Sequence, residues 1–158
     1  MPQKLLYDLS TVDLERVEYP IEEIRKVNPH RFEFEQLSAI VLIRQEEKLI
    51  IGRRDVRPDE FWVRGHIPGR PIFPGVLMLE AAAQLCSFYS GKFVSKGGFL
   101  AFGGIDEVRY RGIVSPGDRM FLIAVGRVLT PSRCQFETQG VVNGKVVFEA
   151  TILGLRLG

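Results

Sequence analysis

The sequence predicts an α+β domain in which an antiparallel sheet wraps around one long, buried helix. Three observations lead to it. Residues 76–89, VLMLEAAAQLCSFY, are almost wholly apolar, carry three consecutive alanines and contain no Gly or Pro. That composition favours a helix, and the lack of a polar face favours one enclosed on most sides. Around it lie β-rich runs: FEFEQLSAIVLIRQ and KLIIGRRDV before it, FLAFGGIDEVRY, RMFLIAVGRVL, RCQFETQGVV and KVVFEATILGLRL after it. The C-terminal runs are separated by short links such as Pro116–Asp118 and Asn143-Gly144. Such links are too short for the crossover helices of parallel strands, and Asn-Gly is a strong hairpin signal.

The remaining elements follow in order. At 158 residues, 46% hydrophobic and 25% charged, the chain suits a single domain over 1–158 with its own core, residues 1–19 being an N-terminal extension to it. In YPIEEIRKVNPH, Ile21, Ile24 and Val27 fall at helical spacing and Pro29 ends the pattern, predicting a short helix from Pro20 to Lys26. An earlier turn within STVDLERV takes Ser10 as its N-cap.

The formal charge of +2, from 21 basic against 19 acidic residues, gives no electrostatic call for nucleic acid. No run reaches the roughly 20 apolar residues of a membrane span, and the opening segment mixes charges throughout, so the expected compartment is the cytoplasm. Cys86 and Cys134 lie far apart in apolar surroundings without zinc-type spacing. They read as structural buried thiols, and no metal is expected.

The stretch RGHIPGRPIFPGVLMLEAAAQ, residues 64–84, carries the chemistry. Glu80 is the only carboxylate in its apolar run. On a helical wheel Val76, Glu80, Ala83, Gln84 and Ser87 share one stripe. Glu80 and Gln84 then form either a satisfied polar seam or part of a site that needs a dry pocket. The lead-in is stiffened by Pro68, Pro71 and Pro74, and Gly65, Gly69 and Gly75 permit close backbone approach. It delivers the chain to a helix N-terminus near Gly75, whose unpaired N–H groups suit an oxygen gathering negative charge. His66 in the loop adds a base. Base, acid and oxyanion site together are what an elimination next to a carbonyl requires. By itself His66 reads equally as a loop histidine bonded to backbone. His30, in NPHRF, lacks a comparable setting and reads as structural.

GHIPGRPIFPGVLMLEAAAQ resembles the signature of the FabZ-type β-hydroxyacyl-acyl-carrier-protein dehydratases, in which a Gly-His-Phe-Pro loop leads through Pro-Gly-Val-Leu to Glu-Ala and Ala-Gln. The fourteen-residue spacing from His66 to Glu80 matches. IEEIRKVNPHRF, GGIDEVRYRGIVSPGDRM and NGKVVFEATI are similar to further family segments, so the likeness covers roughly residues 20–156. It implies a hot-dog fold and a homodimer with sites at the interface, His66 coming from one subunit and Glu80 from the other, with dimers often assembled into a trimer of dimers.

The reaction implied is reversible dehydration of a (3R)-hydroxyacyl thioester to the trans-2-enoyl thioester. His66 takes the C2 proton and Glu80 protonates the departing C3 hydroxyl. Gly75, Val76, Gln84 and Phe73 are the expected substrate-binding positions, with the Gly75 N–H on the thioester carbonyl and Gln84 orienting Glu80. No cofactor is expected, because the phosphopantetheine arm arrives on the acyl carrier protein. Arg53, Arg54, Arg57, Arg64, Arg70, Arg109 and Arg111 are candidates for guiding an acidic carrier. Phe73, Phe88, Phe99 and Phe102 read either as acyl-channel lining or as plain core.

The sequence departs from the family at Ile67, usually Phe, at Arg70, often His, and at Glu33, Gln36 and Ser38, where Pro and apolar residues are usual. Glu33, Gln36 and Ser38 predict altered packing near the tunnel, and the expected setting is fatty acid biosynthesis or a related acyl pathway, a specialised one included. An acyl-thioester hydrolase using Glu80 as base, and a non-catalytic acyl-binding subunit, are the alternatives on the same fold.

Overall fold

The structure is a computed structural model describing residues 3–95 and 99–157, Phe99 by its backbone alone. In chain order it comprises β1 (Tyr19–Pro20), α1 (Ile21–Ile24), β2 (Ala39–Arg44), β3 (Leu49–Asp55), α2 (Gly75–Phe93), β4 (Phe99–Tyr110), β5 (Arg119–Leu129), β6 (Arg133–Val142) and β7 (Lys145–Leu157). The strands form one seven-stranded sheet in the order β1-β2-β3-β5-β6-β7-β4, every pair antiparallel. The sheet curls around α2, which packs against β3 to β7. This is the hot-dog architecture expected from the sequence.

The central strands have no polar face because both sides are covered. Along β5, Met120, Leu122 and Ala124 join the core that contains Leu85 and Phe88 of α2. Their neighbours Phe121 and Ile123 join a second layer on the outer face with Val41, Leu49, Ile51 and Val141. Alternate residues point to opposite faces, so a sheet buried on both sides gives continuous apolar runs. Leu5, Leu6, Leu9, Val12 and Leu14 of the N-terminal segment cover that outer layer. Gln139 clamps the segment: its Oε1 accepts from the Leu6 N–H at 2.7 Å and its Nε2 donates to the Lys4 carbonyl at 3.0 Å.

The hairpin turn stands where Asn143-Gly144 predicts it. Both residues have positive φ, 50° and 77°, and Val142 pairs with Lys145 across it. Three local expectations are corrected. The central helix begins at Gly75 and runs to Phe93, a turn beyond the expected end. The first helix closes at Ile24, with bonded turns continuing to Asn28. The early turn is a 3-10 turn over Leu9–Thr11 capped by Asp8, which accepts from the Ser10 N–H, instead of by Ser10.

A fourth correction bears on the site. Residues 32–38 do not extend β2; Phe32–Phe34 form a 3-10 turn, entered with Phe32 at φ 58°. The reason lies in α2. The Phe34 carbonyl and the Gln36 N–H, which a ladder would need, are both bonded to the side chain of Gln84.

Candidate active site

The middle of α2 faces a cavity of about 210 Å³ between the helix and strands β4, β6 and β7. His30, Glu80 and Gln84 form its polar end, while Leu100, Phe102, Ile152 and Leu153 make much of the rest apolar. Glu80, Ala83, Gln84 and Ser87, four of the five residues of the predicted stripe, line it. The fifth, Val76, is 70% exposed at the start of the helix.

Gln84 organises this end. Its Nε2 donates to Glu80 Oε2 at 2.7 Å and to the Phe34 carbonyl at 2.6 Å. Its Oε1 accepts from the Gln36 N–H at 2.9 Å. Because a backbone N–H can only donate, the amide orientation is fixed and Glu80 necessarily receives a donor. The Asn28 side chain donates to the Gln84 carbonyl at 2.9 Å, so residues 28–36 wrap around this one glutamine. Gln36, where the family pattern expects an apolar residue, has a partner for its own amide. Its Oε1 accepts from Arg54 Nη2 at 2.8 Å, and Arg54 is held in turn by a two-point pair with Glu60. Ser38 likewise accepts from the Asp55 N–H through its Oγ.

His66 lies elsewhere in the single chain. It is exposed in the loop ahead of α2 and does not line the Glu80 cavity. Its Nδ1 sits 2.7 Å from the Ile72 carbonyl oxygen, while the Ile72 N–H donates to the His66 carbonyl at 2.8 Å. A carbonyl can only accept, so Nδ1 carries the proton and the neutral ring presents a bare Nε2. The backbone bond that makes His66 look structural is also what prepares a base. The peptide bond between His66 and Ile67 is cis.

At the helix entrance, the Leu77 and Met78 N–H groups bond to the Pro74 carbonyl. The Gly75 and Val76 N–H groups lie ahead of the first intrahelical acceptor. A Cβ on Gly75 would stand 2.7 Å from the Tyr110 ring, so only glycine allows that strand so close to the entrance. Phe73 is buried against Trp62 and under the Arg54 guanidinium, and it is not among the residues lining the cavity. Phe88 is also core, packed at a tilt against Tyr19, whereas Phe102 lines the cavity. The side chain of Phe99 lies outside the described residues.

His30, read from sequence as structural, stands beside the acid, its Nε2 3.6 Å from Glu80 Oε2. No local spacing signals this, because Asn28 and Phe34 bring the segment in through bonds to a residue some 50 positions away. Burial raises both thiols, Cys86 strongly. They are neutral lining groups, not nucleophiles.

Of the candidate arginines, Arg54 is buried in its pair with Glu60, Arg53 pairs with Asp55 and Arg111 with Glu149. Arg57, Arg64, Arg70 and Arg109 are exposed. No helix among the described residues is long and apolar enough to cross a membrane.

Fold and cavity together define a hot-dog protein with a carboxylate at the polar end of a largely apolar cavity. Two solved structures share the fold: the dehydratase heterocomplex ApeI:P from Xenorhabdus doucetiae, with TM-score 0.73 and 14% identity over 85% of this chain and 91% of that one, and a hypothetical thioesterase with coenzyme A from Streptococcus pneumoniae, with TM-score 0.61 and 11% identity over 87% and 97%. A FabA-like domain matches residues 28–151. The 3-hydroxyacyl-[acyl-carrier-protein] dehydratases FabZ of Escherichia coli and Shigella boydii are each 40% identical over 139 residues, 86% of this chain and 91% of theirs. The chain belongs to the FabZ-type dehydratase family of FabA-like hot-dog proteins.

Proposed function

We propose that this protein catalyses the reversible dehydration of (3R)-hydroxyacyl-acyl-carrier-protein thioesters to trans-2-enoyl thioesters, in fatty acid biosynthesis or a related acyl pathway. One observation carries the reading: in a chain of this family, Glu80 is held by Gln84 at the polar end of an otherwise apolar cavity. A carboxyl group there stands where a C3 hydroxyl would lie when the acyl tail fills the apolar part. Gln84 takes Oε2, leaving Oε1 to hold the proton that passes to the departing hydroxyl. His66, through its bare Nε2, removes the C2 proton. The Gly75 N–H polarises the thioester carbonyl, which makes that proton more acidic. The phosphopantetheine belongs to the carrier substrate, and the reaction needs no redox or metal cofactor. We place the enzyme in the cytoplasm.

The site is completed by a second copy. His66 is outside the Glu80 cavity, and β4, a twelve-residue strand, ends the sheet with no strand on its outer side among the described residues. Beside that edge Phe102, Ile105, Tyr110, Leu155 and Leu157 are all more than a third exposed. A long apolar edge of this kind is one that proteins cover. A homodimer formed along β4 covers it and brings a partner loop towards α2. Assembly of such dimers into a hexamer is a further step, and the exposed Arg64 and Arg70 beside the loop suit an acidic carrier.

The test is purified protein with crotonyl or 3-hydroxybutyryl carrier thioester, following enoyl absorbance and free thiol together. Reversible hydration without thiol release is expected; thiol release would mean hydrolysis, and neither would mean a binding role. Glu80→Gln should keep the dimer and lose roughly 10²- to 10⁴-fold in turnover, the usual worth of a positioned acid. A near-normal rate in that variant would remove Glu80 from the acid's role.

A further inference from the structure

The mechanism above leaves one group of the cavity unused. His30 Nε2 is 3.6 Å from Glu80 Oε2, and its Nδ1 is buried with no hydrogen-bond partner. The segment is held on either side by other atoms, Asn28 on the Gln84 carbonyl and Gln84 on the Phe34 carbonyl. The imidazole therefore does no structural bonding of its own. A buried polar nitrogen without a partner calls for a reason. The separation from Oε2 exceeds a hydrogen bond but lies within the range where one charge strongly biases another.

We propose that His30 and Glu80 share one proton, and that His30 returns a proton to the acid after each transfer to the leaving hydroxyl. This rests on Glu80 being the acid of the proposed reaction. As the C3–O bond breaks with its electron pair, the hydroxyl takes the proton of Glu80 Oε1 and leaves as water. The two side chains close from 3.6 Å to hydrogen-bond distance, the imidazolium Nε2–H passes its proton to Oε2, and rotation of the carboxyl group presents it to the next hydroxyl. The neutral ring, 22% exposed, takes another from solvent, while the proton removed from C2 leaves through His66. One proton enters and one departs per turnover. His30 acts through Glu80 and touches no substrate atom, so it is a positioning residue.

The pairing makes chemical sense because an isolated carboxylate has lost its proton well before neutrality, whereas an imidazole holds one to about pH 6.5. His30 Nε2, 3.6 Å from Glu80 Oε2, puts a second proton carrier beside the acid. In the proposed dimer the partner's His66 also faces the pair; within one chain few other charges do. Helix α2 adds Cys86 and β6 adds Cys134, both kept neutral by burial, and the β4 and β7 lining residues are apolar. On its own segment, Arg31 turns to the carbonyls of Arg25, Asn28 and His30. Glu35 is bound to Arg25, and Glu33 is exposed.

His30→Gln preserves size and polarity. Its KM should stay within about twofold of wild type, with kcat near pH 7.5 falling about tenfold and recovering as pH drops, so that the alkaline limb of the kcat profile moves to lower pH. An unchanged profile and rate would overturn the proposal. So would a loss marked by raised KM with the limb in place, which is what lost packing produces.

A second measurement does not use turnover. The chain has two histidines, so His30→Gln assigns the Cε1–H resonances, and the His30 signal should titrate at lower pH in Glu80→Gln than in wild type. If it titrates identically in an enzyme that turns over, the proton pair fails alone. If wild type neither hydrates nor dehydrates, the functional reading fails and takes the role of His30 with it.

Discussion

Glu60 shows what a single carboxylate contributes when it is buried with the right partners. Burial pushes its carboxyl up, but bonds from Arg54, the Arg57 N–H and Trp62, with the Arg54 charge, outweigh that and leave it below the usual carboxylate range. A group lowered on folding stabilises the native state above its unfolded pKa of roughly 4.3, and the benefit is lost as pH falls through the lower folded value. Glu60→Ala should therefore cost about 3–5 kcal/mol at pH 7, because it strands a buried guanidinium. Urea titrations should show the gap to wild type narrowing below about pH 4. An equal gap at pH 7 and pH 3.5 would mean that the carboxylate charge contributes nothing. Single residues also show where sequence reading stops. Glu80 was legible because an acid in an apolar helix is anomalous by itself. His30 was not, because its place depends on bonds that Gln84 makes to backbone atoms far away in the chain. Arg54 reads as a surface charge for a different reason: its partner Glu60 is near in sequence, but nothing local announces that both are buried.

Among the elements, α2 and the C-terminal strands were readable from composition and turn residues, since an Asn-Gly turn and an alanine-rich apolar run owe their structure to local preferences. FEFEQ reads as strand because its alternation satisfies the strand pattern, while the bonds that decide its conformation come from Gln84 on another element. The double-faced burial of β2, β3 and β5 was likewise visible only as unbroken apolarity, with nothing to say what covers the outer side. The cover is the N-terminal segment, and its value can be measured. Removing residues 1–14 uncovers Val41, Ile51 and Ile123, each fully buried, and takes away the buried Leu9. Loss of even one such side chain's burial is worth about 1.5–3 kcal/mol. Thermal unfolding should therefore fall by at least roughly 4 °C for a domain of this size, with increased dye binding to exposed apolar surface. An unchanged Tm would mean that the extension is carried on the sheet without stabilising it.

For the molecule as a whole, the sharpest consequence concerns how many chains make a site. Glu80 lines the cavity and His66 of the same chain does not, while β4 stands at the sheet edge among the described residues. If two copies pair about a twofold axis, each dimer holds two sites, and each site takes its histidine from one chain and its glutamate from the other. His66→Ala and Glu80→Gln homodimers are then both inactive, but their mixed dimer is not. One of its sites carries both lesions, and the other carries neither. Co-expression with random pairing makes about half of all dimers mixed, each with one intact site of two, so activity should return to about a quarter of wild type. Separate affinity tags on the two chains allow the mixed dimer to be isolated, and it should then show about half the wild-type rate per dimer. Were His66 and Glu80 of the same chain to serve one site, the mixed dimer would hold only damaged sites, and no mixture would exceed the more active of the two single variants.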